Sequence, residues 1–360
     1  MRKIQIFCQF LVTAGLLLST PAVLAWGNLG HQTTAEVAQR YLTPEGKRLV
    51  QSILGIEPMA AAATFPDLVR SDDRFKEFAP YHYVEVLPGY TYGSKPQDDV
   101  VAKDANAIVT KLPIELRKSF AGLLPKLNRS QKMIGLRYLI HVVGDLHQPL
   151  HVGNGLDRGA NLCDIYYVNP ETKNKKPTLL HAFWDDALFQ LIEFKWRTDD
   201  GGKNATKWFG YREYADLIIK KNPLLAPKLN EEANAELKQI ATAPISQWYV
   251  EAQALFPVVY PDGATPMRPE NRSYCKLVDR KTGKVGNGAY DKNLIPILSE
   301  AYIKEASEVA EKQILKGGLR LANMINKMAK GLKPASDKED KALLNELLTL
   351  ENETKKSNSL

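Results

Sequence analysis

Apolar residues recur every three or four positions over most of this chain. Ala35, Val37, Ala38 and Tyr41 repeat at that interval, as do Leu49, Val50, Ile53 and Leu54, the period of an amphipathic helix. Thr43-Pro44-Glu45 supplies a capping hydroxyl, a proline at the first helical position and an early acid, so a second helix is expected to start there. Related patterns predict helices over 99–117, 131–147, 180–190, 206–221, 230–241, 245–255 and 293–329. Strand-like sequence is scarce: only Asp164–Val168, followed by the polar stretch 169–176, reads as part of a small hairpin. With no internal repeat, the pattern predicts a mainly α fold, a single helical domain with a small β-hairpin.

The two ends depart from this pattern. Arg2 and Lys3 precede an apolar run from Ile4 to Leu18, and small residues follow up to Ala25. The run is too short to span a bilayer and no stop-transfer segment follows, so residues 1–25 read as a signal peptide. A secreted or periplasmic protein with no membrane anchor is expected. Cys8 would leave with the leader. An oxidising compartment permits the remaining Cys163 and Cys275 to form a disulfide bond, although spacing alone gives no distance between them. At the other end, residues 331–360 form a charged tail with one apolar patch at Leu343, Leu344, Leu347, Leu348 and Leu350, read as an appendage. Sequons begin at Asn128, Asn204, Asn271 and Asn352. The formal net charge of +7 suits a polyanionic substrate or an anionic surface without requiring either.

The chain has only six histidines, and two of them, His141 and His181, stand four residues before an aspartate. In "LIHVVGDLHQPLHVG", residues 139–153, His141 and Asp145 are four apart, so on a helix they share a face and can converge on one ion. Pro149 is expected to end that helix and let His151 approach from another direction. His147 falls on the opposite face from His141, which favours a structural hydrogen bond over ligation. "LLHAFWDDAL", residues 179–188, repeats the device with His181 and Asp185, whereas Asp186 points about 100° away and is expected to cap or face solvent. "TFPDLVRSDDRF" adds Asp67 and Arg70, and "PYHYVEVLP" adds His82, Tyr83 and Glu85. Taken alone, Asp67 could simply open a helix and His82 could be core. Taken together, nitrogen and oxygen donors without a thiolate suit zinc in a hydrolytic site. Cleavage after Ala25 would make Trp26 the first residue. Its α-amine, with a pKa of about 8, and its carbonyl could then chelate a cation, with His31 completing the grip.

These motifs resemble those of the zinc-dependent S1/P1 nuclease family over residues 26–330. The match rests on WGxxGH at Trp26, FPD with an arginine three on, HYV, HxxGDxHQPLHVG, DRGAN at 157–161, LHAFWD, WYVEA at 248–252 and GGLRLANMIN at 317–326. The resemblance implies a helical fold with three zinc ions in a cleft. One would be held by Asp67, His82, His141 and Asp145, and a second by His151, His181 and Asp185. The third would be held by Trp26, His31 and a bridging Asp145. It also implies that Arg70 lies beside the scissile phosphate, that Asp67 and Asn161 belong with the reacting groups, and that Tyr83 and Glu85 bind a base. Implied substrates are single-stranded DNA and RNA and nucleotides, hydrolysed to 5′-phosphate products by an endonuclease that is also a 3′-nucleotidase. Four departures stand out: tyrosine precedes His82 where tryptophan is usual, Glu85 replaces aspartate, Ala160 replaces a glycine, and Leu179 replaces an asparagine. They bear on pocket shape rather than on the nine metal positions.

Two other readings compete. Zinc-dependent phospholipase C resembles the family in its three-zinc site, but has a wider gap between the first tryptophan and histidine and tends to have glutamate at the position of Asp185. A purely structural zinc site is usually closed and often rich in cysteine, unlike this donor set.

Overall fold

The computed structural model describes residues 26–86, 92, 104–120, 127–155, 157–223, 235–261 and 295–332. The leader, Cys8, Cys275, the tail beyond Leu332 and the sequons at Asn271 and Asn352 lie outside the described residues. So do positions 99–103, 230–234 and 293–294 of three expected helices.

Helices dominate the rest. The first, α1 (Asn28–Arg40), leads into α2 (Pro44–Leu54), which begins where the cap signal requires: the Thr43 side chain accepts from Gly46 N. Two single-turn helices follow, α3 (Met59–Ala62) and α4 (Phe65–Leu68), then α5 (Ala105–Phe120) and α6 (Arg129–Asp145). Asn128 and Gln131 cap α6 reciprocally. It ends at Asp145, earlier than the pattern predicts. The chain tightens there before Pro149 is reached, with His147 N bonded to Gly144 O (3.0 Å) and Gln148 N to Asp145 O (2.9 Å).

The expected helix over 180–190 is longer and less regular. A turn of α7 (Leu180–Ala182) passes through a π-turn at Phe183–Ala187 into α8 (Leu188–Thr198). Then come α9 (Tyr211–Lys221), α10 (Ala235–Thr242), α11 (Ile245–Ala254), α12 (Phe256–Val259) and the 30-residue α13 (Glu300–Ala329). The last starts later than its periodicity predicts. The preceding segment instead binds the hairpin edge, through Tyr166 N to Pro296 O (2.9 Å) and Leu298 N to Tyr166 O (2.8 Å).

The hairpin itself is β3 (Asp164–Val168) paired antiparallel with β4 (Lys175–Leu179). A second, unpredicted pairing is parallel and two residues long: β1 (Val84–Glu85) lies on β2 (Val152–Gly153), with Val84 opposite Val152.

Helix α13 runs through both apolar cores. Its C-terminal part packs with α1, α2, α5, α6 and α11, while its N-terminal part packs with Trp26, α8, α9, α12 and the hairpin. Its closest approach is to α1, at Gly317 and Gly318. A Cβ on Gly318 would meet Val37 Cγ1 at 2.5 Å and Thr34 O at 2.9 Å. The glycine pair therefore lets α1 lie directly on α13, fixing the helix that carries His31.

Candidate metal centre

The second half of α6 is buried continuously from Tyr138 to Asp145, so its polar groups point into protein rather than water. Asp145 lies at the middle of a ring of imidazoles. Its carboxylate is 3.4 Å from His31 Nε2, 3.2 Å from His82 Nδ1, 3.2 Å from His141 Nε2 and 3.5 Å from His151 Nδ1. His31 reaches it because residue 144 is glycine: a Cβ there would sit 2.9 Å from His31 Nδ1. Its ring stacks on that of His141, with centroids 3.8 Å apart.

Donor atoms converge in three buried groups that could each hold a metal ion: His31, His141 and Asp145; Asp67, His82 and His141; and His151, His181 and Asp185. The first differs from the set implied by resemblance in containing His141. Trp26 is wholly buried, its ring edge-on to Phe189 at 5.4 Å, and Gly27 N donates to Asp185 O at 2.5 Å. These contacts tie the start of α1 to the π-turn.

A metal fits this arrangement for two reasons. Three rings are held from behind by backbone carbonyls: His141 Nδ1 by Ala63 (2.7 Å), His151 Nδ1 by His82 (2.8 Å) and His181 Nδ1 by Gly159 (2.6 Å). An Nδ1–H donor leaves Nε2 as a lone pair aimed inward, the usual support for a metal-binding imidazole. Buried polar atoms also collect there without hydrogen-bond partners, among them both nitrogens of His31, both oxygens of Asp145, Asp67 Oδ1, His151 Nε2 and Asp185 Oδ2. Buried polar groups are ordinarily paired. So many orphans in one place are accounted for by a cation between them.

Burial pushes His151 down to about 3 and His181 down to about 4, while burial and then His141 lower His31. Burial would also lower His141, but Asp145 and Asp67 outweigh it and raise the ring to about 9. Burial alone would raise Asp145, yet His141 and His151 hold it well below the usual carboxylate range. Asp185 is held well above that range, chiefly by burial.

The other expected residues surround this cluster. Arg70 is half-buried and close enough for its charge to act on both Tyr83 and His181. Tyr83 is 43% exposed, and Glu85, also exposed, bears electrostatically on it. Asn161 is half-buried, and its amide donates within its own turn to Arg158 O (2.9 Å). His147 stands apart from the metal groups, as its helical position predicts: Nδ1 donates to Val143 O (2.7 Å), and Nε2 accepts from Arg320 Nη1 (2.9 Å). Asp186 is exposed.

Residues 26–330 match the S1/P1 Nuclease family model. The chain belongs to the S1/P1 nuclease family. It is 31% identical to Nuclease S1 of Aspergillus oryzae over 48% of this chain and 58% of that protein. It is 26% identical to Endonuclease 2 of Arabidopsis thaliana over 51% and 63%. Similarity to Nuclease P1 of Penicillium citrinum, at 24% identity, extends over 84% of this chain and 97% of that protein. The chain therefore spans less than two thirds of the first two relatives and nearly all of the third.

Several supporting residues of this S1/P1 member were not singled out from sequence. Gln148 lies inside the HQPLH motif and bonds Asp185, and Arg320 lies inside GGLRLAN and bonds His147. The buried Asp157 accepts from Tyr260 Oη (2.6 Å) and Ala160 N (2.9 Å). It clamps a turn in which Arg158, Gly159 and Ala160 all have positive φ, at 57°, 59° and 64°. That turn aims the Gly159 carbonyl at His181. Among the described residues, no helix is long and apolar enough to cross a membrane.

Proposed function

We propose that this protein is an exported, zinc-dependent endonuclease, a phosphoric ester hydrolase that cleaves single-stranded DNA and RNA and also removes 3′-phosphate from nucleotides. The carrying observation is the set of buried, unpartnered donor atoms gathered around Asp145. Three zinc ions are assigned to the sets implied by resemblance. Asp67, His82, His141 and Asp145 hold one. His151, His181 and Asp185 hold the second. His31, Asp145 and the freed amine and carbonyl of Trp26 hold the third, after the leader of residues 1–25 is cut. The domain runs from 26 to 330 and the tail from 331. Cys163 pairs with Cys275, which suits an oxidising compartment.

When bound, such ions bring the pKa of a coordinated water toward about 7 and polarise phosphoryl oxygens. The protein's own groups do the rest. Carbonyls of Ala63, His82 and Gly159 hold three ligand rings at fixed angles. Asp67 and Asn161 serve at the reacting centre. Arg70 offers a planar fork of donors to the phosphate. Tyr83 stacks on a base and Glu85 accepts hydrogen bonds from its edge, which requires an unpaired strand. Hydrolysis breaks the bond from phosphorus to the 3′ oxygen, leaving 5′-phosphate ends.

The test is release of acid-soluble nucleotide from single-stranded DNA by protein beginning at Trp26, with zinc, after chelation, and after zinc is restored. Release that stops and returns supports the proposal. No release from a zinc-loaded sample overturns it, and hydrolysis of phosphatidylcholine by that sample would favour the phospholipase reading.

A further inference from the structure

Gln148 is wholly buried and carries no charge, and its side chain reaches the metal groups through Nε2. Its Oε1 accepts from Leu150 N at 2.6 Å, which fixes the sense of the amide because a flipped side chain would set NH2 against N–H. Nε2 is thereby committed as a donor, and it donates to Asp185 Oδ1 at 2.8 Å. The other oxygen, Asp185 Oδ2, is buried without a hydrogen-bond partner and lies 3.2 Å from His181 Nε2.

We infer that Gln148 is a positioning residue for the His151, His181 and Asp185 group: its amide occupies one oxygen of Asp185 and turns the other toward the cation. The bond spans two separate pieces of chain. Gln148 belongs to the tight turn that carries His151, whereas Asp185 sits in the π-turn after His181. Two ligands of one group thus come from elements that share little regular secondary structure, and the Gln148 amide joins them directly. Asp185 Oδ1 and His151 Nε2 are 3.9 Å apart, so a carboxylate free to rotate would change the size of the opening between them. The turn is anchored from the far side as well, since Gln313 Nε2 donates to His147 O at 3.2 Å. The amide therefore acts from a fixed base.

This inference rests on the metal reading proposed above, and the experiment separates the two. Zinc affinity of the metal-free protein beginning at Trp26 is measured by competition with a chromophoric chelator, alongside the visible spectrum of the cobalt-loaded form. Gln148→Met removes the donor and keeps the volume. Gln148→Asn keeps an amide one methylene too short to reach both partners, and carries the test if the first variant does not fold. In either variant one bound ion is expected to weaken by about 10- to 100-fold, the range for losing a hydrogen bond behind a metal ligand. The other ions should hold, and the cobalt spectrum should change. Unchanged titrations in both variants overturn the positioning role. So does an equal weakening of every ion together with a lower melting temperature of the metal-free protein, the signature of general loosening. Wild-type protein that binds no zinc overturns the metal reading itself.

Discussion

The ring of His151 is held by the backbone of His82, whose carbonyl oxygen lies 2.8 Å from Nδ1. One candidate ligand therefore orients another across 69 positions of sequence. The parallel pairing of Val84 with Val152 makes this possible, since it sets the chain after His82 directly beside the chain after His151. Only two residues pair on each side, yet they join two metal groups that would otherwise rest on separate segments.

Asp145 is the residue on which these groups depend most. It lies within 3.5 Å of four imidazoles, so Asp145→Ala is expected to remove more than one ion. Nuclease activity should fall by at least about 100-fold, the loss expected when several kcal/mol of metal-derived stabilisation is withdrawn. Asp186→Asn is the control. Its side chain is exposed and accepts from Gln190 Nε2, and surface changes of this kind stay within about 0.5 kcal/mol. Metal content by elemental analysis, read with initial rates, checks both. Full zinc in the Asp145 variant would refute the bridging role.

Tyr83 offers a test of substrate recognition independent of the metal. Its ring is 43% exposed beside the cluster, and stacking on an unpaired base is worth about 1–3 kcal/mol. Tyr83→Ala should raise KM on short oligonucleotides and blunt base preference more than it lowers kcat. An unchanged KM would remove the stacking role.

Much of this arrangement is legible in the residues, for identifiable reasons. A spacing of four on a helix brings His141 and Asp145 together whatever surrounds them, and the cap at Thr43-Pro44 places α2 to the residue. His181 and Asp185 do meet at 3.2 Å, but across a π-turn, because apolar periodicity does not register one widened turn. The pairing of β1 with β2 is too short to produce an alternating pattern. Gln148 and Arg320 look like ordinary polar residues until the fold puts each beside its distant partner. Glycine has no side chain to pattern, so the close approaches at Gly144 and Gly318 emerge only from packing.

Behind the metal turn, Arg320 is 1% exposed and divided among three partners. It donates to Glu251 (2.8 and 2.9 Å), to Ile240 O (3.1 Å) and to His147 Nε2 (2.9 Å), with its guanidinium 5.2 Å from the Trp248 ring centroid. Arg320→Met leaves His147 Nε2 and Ile240 O without their donor, whereas Glu251 keeps Lys316 Nζ (3.2 Å) and Gln247 Nε2 (3.0 Å). The variant should therefore cost about 1–3 kcal/mol for each acceptor left buried and unpaired. Adding Glu251→Leu removes no stranded group and should not restore the loss. Urea denaturation of both proteins checks this, and a double variant as stable as wild type would show that the loss comes from the carboxylate instead.

Glu311 gives a pH dependence far from the metal groups. It is 4% exposed on α13, and burial raises its pKa above the usual range for a glutamate, although Lys221 Nζ at 2.7 Å pulls the other way. A carboxyl whose pKa is higher folded than unfolded adds stability below the unfolded value and loses it as pH rises through the folded value. Above that window the native protein must ionise a buried acid. Glu311→Gln keeps an oxygen for Lys221 and removes this cost, so the variant should melt at a higher temperature than wild type at pH 7. The advantage should shrink as pH falls and vanish below about 4.5, where the acid is protonated in both states. Melting temperatures of both proteins from pH 4 to 8 decide the matter. A gap that stays constant with pH would show that the lost charge is not its cause.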